Sequence, residues 1–203
     1  MARYPKEQKA QTREQILTAA SQAFREQGIA EVSIPALMGK LGLTHGGFYA
    51  HFPSKDALAA EASIRPLQKR SAELAQMTPG PEAVQQVIAA YISPQKRDNP
   101  ADSCPLPSLS GELSRANPEV RHTYTEALRT YLDRIGDLLP PAVAERAPDQ
   151  ELALVASMVG AVLLARAVDD PDLSDRILAA TREFATSAFA NAENTATPVT
   201  CEG

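Results

Sequence analysis

The sequence is short of several features that usually announce a chemistry. Two cysteines, Cys104 and Cys201, are too few for a disulfide framework. The second falls in an Asn/Thr/Ala-rich end expected to be a disordered tail over 192–203, and the pattern suits a reducing cytosol. Three histidines, His45, His51 and His122, have no ligand-like spacing to a cysteine or to each other, so no metal site is expected. No glycine-rich phosphate loop is present, and no cofactor is expected. An enzyme would need Cys104 as nucleophile and His122 as base, 18 positions on. No orienting Asn/Asp or oxyanion-forming glycine loop accompanies them, which argues against catalysis.

Long apolar runs are missing too. The longest, Leu152 to Ala165, is 14 residues between Glu151 and Arg166. A membrane span needs roughly 18–20, so a buried helix is expected instead. The polar stretch from Met1 to Lys9 has no apolar run behind it, and no signal peptide is expected. These readings point to a cytoplasmic protein without a membrane partner. Strict alternation of β-branched residues is absent, which removes a sheet.

Helical periodicity is what remains, and it dominates the 203 residues, enough for a core that needs neither disulfide nor metal. The expected fold is all-α: a three-helix unit ending in a helix-turn-helix over 1–53, then a larger helical domain over 54–191. The net charge of -5 and the pI near 5.3 argue against nucleic acid taken as totals. Their distribution argues the other way. Residues 1–55 hold seven Lys/Arg (Arg3, Lys6, Lys9, Arg13, Arg25, Lys40, Lys55) and four Glu, or +3, which leaves -8 on the other 148.

Ile16, Leu17, Ala20, Ala23 and Phe24 form the buried stripe of a first helix from about Lys9 to Gln27, stopped by Gly28. Ser33 caps a second helix that ends at Gly42, Thr44 caps a short third one, and Ser54 caps a fourth running to about Gln76. Further helices are expected over Glu82–Ile92, about Leu106–Arg115, Pro118–Leu139, about Asp149–Val168 and Pro171–Ala190, with Pro-, Asp- and Ser-rich sequence over 93–107.

The segment Leu43 to Leu58, LTHGGFYAHFPSKDAL, is the most informative. Its short helix holds Gly46 and Gly47 side by side, each costing about 1 kcal/mol relative to Ala. Backbone that must approach the floor of a major groove has a use for missing side chains. Thr44 and His45 are then left to reach base edges or phosphates. Tyr49 and His51 offer a hydroxyl and a ring N–H to phosphate oxygens, and Lys55 begins the next helix, whose free N–H groups also favour phosphate. Phe48 and Phe52 are the apolar anchors.

On these residues the first 60 or so positions resemble the DNA-binding domain of the TetR/AcrR family of bacterial transcriptional repressors. The match runs through Ile16, Ser33, Leu43, Thr44, Gly46, Phe48, Tyr49, His51, Phe52, Lys55 and Leu58. The resemblance implies a homodimer whose two recognition helices enter successive major grooves of a palindromic operator, released when a small-molecule effector binds the C-terminal domain. By position, Thr44, Tyr49, His51 and Lys55 would contact phosphates, and His45, Gly46 and Gly47 would face the bases. His45, Gly47 and Ala50 depart from the usual family pattern, so base specificity transfers least. A helical module that has lost DNA binding is the rival reading, and the intact set of Tyr49, His51 and Lys55 argues against it.

Leu152 to Val168 mixes large apolar residues with Ala156, Gly160, Ala161 and Ala165, and Ile177, Leu178, Thr181, Phe184, Ala185 and Ala188 give the last helix a matching stripe. They form either an intrachain core or a four-helix seam between two chains. An effector pocket is expected among the helices from Ser54 to Leu139. Its candidate lining is Ile64, Leu67, Val87, Ile88, Tyr91, Leu109, Leu113, Tyr124, Leu128 and Tyr131, any of which could equally be ordinary core. Cys104 precedes a helix that Asp102 or Ser103 can cap, a setting that favours thiolate and reaction with electrophiles or oxidants. It also resembles a TetR subgroup that senses through such a cysteine. The alternatives are a thiol held protonated by Asp102 or a small buried hydrophobe.

Overall fold

The structure is a computed structural model that describes residues 6–145 and 148–190. The tail expected over 192–203, with Cys201, lies outside the described residues. Among those described, all regular structure is helical, in the order α1 (Lys6–Gln27), α2 (Ile34–Lys40), α3 (His45–Phe48), α4 (Lys55–Leu74), α5 (Pro81–Tyr91), α6 (Pro94–Asp98), a 3-10 turn (Pro100–Asp102), α7 (Pro105–Leu113), α8 (Pro118–Leu138), α9 (Pro141–Ala144), α10 (Gln150–Ala167) and α11 (Pro171–Phe189).

Local chemistry sets most boundaries. Ser33 and Ser54 accept from the N–H groups of Ala36 and Ala57, each at 3.1 Å, which satisfies one free donor of each helix start. Gly28 and Gly42 adopt φ of 89° and 69°, the left-handed turn that ends a helix cheaply only without a Cβ. Asn117 accepts from Val120 N–H at 3.0 Å, with Pro118 at the first helical position. The segment over 93–107 is more ordered than its composition suggests. Its prolines open α6, the 3-10 turn and α7, where a missing N–H costs nothing. The Pro140-Pro141 stop is likewise followed by one more helical turn, α9.

Contacts divide the chain into two compact units, one running up to Ser71 together with Asn99–Tyr131, the other comprising Ala72–Asp98 and the chain from Leu132 onward. In the first unit Ile16, Leu17, Ala20, Phe24, Leu37, Met38, Phe48, Phe52 and Leu58 share one core with Leu109, Leu113 and Val120. Residues from α7 and α8 thus complete the burial of the helix-turn-helix, since α2 and α3, of seven and four residues, offer too little apolar surface to cover α1.

In the second unit α10 packs along α11, and α5 and α6 pack against them. Arg97 donates to Ser174 Oγ at 2.8 Å and to Asp175 at 2.6 Å, and Arg166 donates to the carbonyl of Arg97 at 3.0 Å, so α6 is held by charge-assisted bonds rather than by apolar burial. Bonding to Asp98 and Asp175 raises the pKa of the Arg97 guanidinium.

The expectation that Leu152 to Ala165 is simply buried is corrected. Only 33% of the 18-residue window over α10 is buried, and Leu163 and Leu164 are 48% and 57% exposed. By length and composition this helix could cross a membrane, the same test a core helix passes. Its inner face is Leu154, Val155, Met158, Ala161, Val162 and Ala165, and its outer face runs Leu152, Ala156, Gly160, Leu163 and Leu164, following the 3.6-residue repeat. The single stripe read for the last helix also splits: Leu178, Ala185 and Phe189 face inward, whereas Leu173 and Phe184 are exposed, Phe184 by 60%.

Candidate nucleic-acid interface

The short helix α3 is built around one capping bond. Thr44 has extended backbone, and its Oγ1 accepts from Gly47 N–H at 3.3 Å. A Cβ on Gly47 would stand 3.3 Å from that same oxygen, so Gly47 keeps room for the cap. Gly46 is different: a Cβ there would meet no atom within 4 Å, so nothing inside the protein requires it to be glycine. Its missing side chain leaves open helix surface. Phe48 and Phe52 are both 1% exposed and stack with ring centroids 5.8 Å apart, fixing α3 from beneath. Tyr49 closes the helix on the outside, 61% exposed, with its ring edge-on to His45 at 5.7 Å and to Phe48 at 5.3 Å. His45, Gly46, Gly47 and Tyr49 thus share one small surface.

His51 and Lys55 are more engaged than that reading supposes. The Nδ1 atom of His51 is buried without a hydrogen-bond partner. Burial first, and then the charges of Lys9 and Arg13, lower its pKa below the ordinary histidine value. The ring is therefore neutral near pH 7, and its other nitrogen is the one left to reach an outside partner. Lys55 Nζ donates to the carbonyl of Ala30 at 2.9 Å, tying the start of α4 to the loop after α1, so its ammonium has only its remaining hydrogens for a phosphate.

Sequence reasoning missed three residues that hold this surface. Arg13 lies with its guanidinium 4.5 Å from the centroid of the Phe52 ring and pairs with Glu61 on α4. Glu112 on α7 accepts from the N–H groups of Ile29 and Ala30 at 3.0 and 2.9 Å, bracing the loop between α1 and α2. Arg25, 8% exposed, donates to Ser21 Oγ at 2.6 Å and to the carbonyl of Ala101 at 2.8 Å. Its pKa is lowered by burial, against the opposing pull of Asp102, Cys104 and Glu26. The i, i+4 spacing of Ser21 and Arg25 is the one local signal; the other partners lie 39 to 83 positions away.

The residues proposed to line an effector pocket are drawn from both units. Val87, Ile88 and Tyr91 lie on α5 in the second unit, and the rest lie in the first. Leu109 and Leu113 belong to the core under the helix-turn-helix, with Tyr124 packed against it. Ile64, Leu67 and Tyr131 are buried, and Leu128 is half-buried. Tyr124 bonds to Ser110 Oγ at 2.6 Å. Burial raises the pKa values of both Tyr124 and Tyr131, with a further upward push from Cys104. Cys104 itself takes the N-cap position of α7 and makes no side-chain capping bond. This corrects the expected cap: Asp102 closes the 3-10 turn and Ser103 Oγ donates to the carbonyl of Asn99 at 2.7 Å, so neither stands at the start of α7.

Comparison with known proteins accounts for both parts of the chain. Residues 16–62 match the family of bacterial regulatory proteins described as the tetR family, and residues 80–181, half of the 203, match the tetracyclin repressor-like C-terminal domain. Over 61 residues the chain is 36% identical to the HTH-type transcriptional regulator AcrR of Shigella flexneri, covering 30% of this chain and 28% of that protein. The chain thus spans little more than a quarter of the curated relatives it matches. The reduced form of E. coli NemR is similar over 88% of this chain and 97% of its own, at 18% identity and a TM-score of 0.72. A regulator from Saccharomonospora viridis, solved in complex with choline, covers 89% and 98% at 21% identity and a TM-score of 0.66. At such identities these two structures speak for the fold alone. With its reader and its body each matched by a model of the same family, the chain belongs to the tetR family of bacterial regulatory proteins.

Proposed function

We propose that the protein is a sequence-specific transcriptional regulator, acting in the cytoplasm as a homodimeric repressor on a palindromic operator and released by a small-molecule effector. Residues 1–53 serve as the reader and 54–191 as the effector-binding and dimerisation domain. The observation that carries the reading is the surface of α3. Gly46 has open space where a side chain could stand at no internal cost, beside a tyrosine left 61% exposed. An exposed aromatic next to bare backbone suits a duplex: α3 approaches the groove floor through Gly46 and Gly47, His45 reaches base edges, and Thr44, Tyr49, His51 and Lys55 meet phosphates. Few side chains then read bases, so backbone contacts and DNA shape carry much of the specificity.

The dimer is supported by the outward apolar faces of α10 and α11, where Leu163, Leu164 and Phe184 are 48%, 57% and 60% exposed. The effector reading draws support from the Saccharomonospora viridis regulator, solved with choline on the same fold. Noncovalent release is favoured over a trigger at Cys104, whose side chain makes no capping bond to the N–H groups at the start of α7. The test is retardation of a duplex taken from the DNA upstream of the gene. Tyr49→Ala should weaken binding to all sequences alike, by roughly tenfold or more if one charge-assisted bond per subunit is lost. Undiminished binding by that variant would remove the assignment.

A further inference from the structure

The surface beside His51 extends past α3 onto α1. Arg13 stacks over Phe52 and pairs with Glu61, so its charge is already met and its role is to hold the α3–α4 turn against α1. One helical turn nearer the N-terminus on the same edge stands Lys9. Lys9 is exposed and has no ion pair among the described residues. Its charge lies near enough to His51 to act on that ring. Two cations and a ring with one buried, unpartnered nitrogen therefore meet at one place, and only Arg13 has an internal anion.

We infer that Lys9 is a phosphate-binding residue of the operator interface, gripping the DNA backbone beside His51 and Tyr49, with Arg13 as the positioning residue between them. The inference rests on the DNA-binding reading and adds to it a contact from α1. The two residues divide the work by charge. Lys9 neutralises a phosphate and releases counterions, whereas the neutral His51 ring donates a hydrogen bond and releases none.

The salt dependence of binding separates these roles. The probe is the duplex that the full-length wild-type protein selects from a random-sequence library, with affinity measured across a range of salt. Each neutralised phosphate contributes about 0.9 to the slope of log K against log salt, so Lys9→Gln in both subunits should flatten it by about 1.8. His51→Gln should lower affinity at every salt concentration with the slope unchanged. Lys69→Gln, an exposed charge 14 residues along α4 from Lys55, serves as the matched control and should leave both unchanged. A wild-type slope in Lys9→Gln, or an equal flattening in Lys69→Gln, would overturn the assignment of Lys9 while the DNA-binding reading stands. Failure of the wild type to select any duplex would overturn both.

Discussion

The carboxylate of Glu112 occupies the space that a side chain on Gly28 would need: a Cβ there would stand 2.6 Å from Glu112 Oε1. The contact joins α7 to the end of α1 across 84 positions of sequence. Its geometry is completed by the bonds from Ile29 and Ala30 N–H to the same carboxylate and by Lys55 on the carbonyl of Ala30.

Gly28→Ala is therefore expected to destabilise the protein on two counts, the left-handed φ of 89° and the displacement of Glu112. The backbone strain alone is about 1–2 kcal/mol. Glu112→Ala should cost less, since it frees two partly solvated N–H groups without strain. Urea melts of the two variants and the double variant test the pair: the double should fall short of the sum of the singles, because the displaced carboxylate is gone. Strict additivity would show that the two residues act independently.

The neighbouring glycines of α3 should respond oppositely to the same substitution. Gly46→Ala meets no atom and removes a flexible helical residue, so the melting temperature should rise, by about 0.5–1 kcal/mol of stability. DNA affinity should fall as the methyl enters the groove-facing surface. Gly47→Ala crowds Thr44 Oγ1 and should lose part of that gain. Thermal melts set beside gel retardation check the contrast, and a Gly46→Ala protein with undiminished DNA binding would remove Gly46 from the interface.

Charge placed on the outward face of α10 or α11 should separate the subunits. Leu164→Glu or Phe184→Lys changes residues that are 57% and 60% exposed in the single chain, so each protomer should keep its helicity while sedimentation shows half the wild-type mass. An unchanged mass would place the seam elsewhere.

The depressed pKa of His51 gives a signed pH dependence. Burial, with Lys9 and Arg13 beside the ring, puts its folded-state value below the roughly 6.5 of the unfolded chain. Above that unfolded value both states are neutral and His51 adds nothing. As pH falls below it, the unfolded chain takes up a proton that the folded ring resists, so stability is lost on acidification. Compared with His51→Gln, the wild type should lose more melting temperature between pH 7.5 and 5.5. A relative gain would mean the ring is charged in the fold.

Much of the architecture is legible one turn at a time. Ser33, Thr44 and Ser54 read as caps, Gly28 and Gly42 as stops, and the spacing of Ile16, Leu17, Ala20 and Phe24 as a buried stripe. Each rests on an interaction within about four residues, which the sequence itself displays. Thr44, Tyr49, His51 and Lys55 are read as DNA contacts the same way, from residue type and order across a short helix and the turn into α4. Cys104 shows where that method stops: the sequence shows a cysteine before a helix, but not that the cysteine itself would take the cap position from Asp102 and Ser103.

The sequence by itself thus determined an all-helical chain with a basic, glycine-bearing reader ahead of an acidic body. Tertiary structure decided which side chains are spent inside. It turned Lys55 to Ala30, laid Arg13 over Phe52 beside an uncharged His51, and set Glu112 against Gly28. It also divided the apolar residues of α10 and α11 between a covered and an uncovered face. Helical periodicity fixes how side chains are arranged around one helix. Which face is covered, and which distant partner a charge meets, depends on how the helices pack, and that is set by the burial of the whole chain at once.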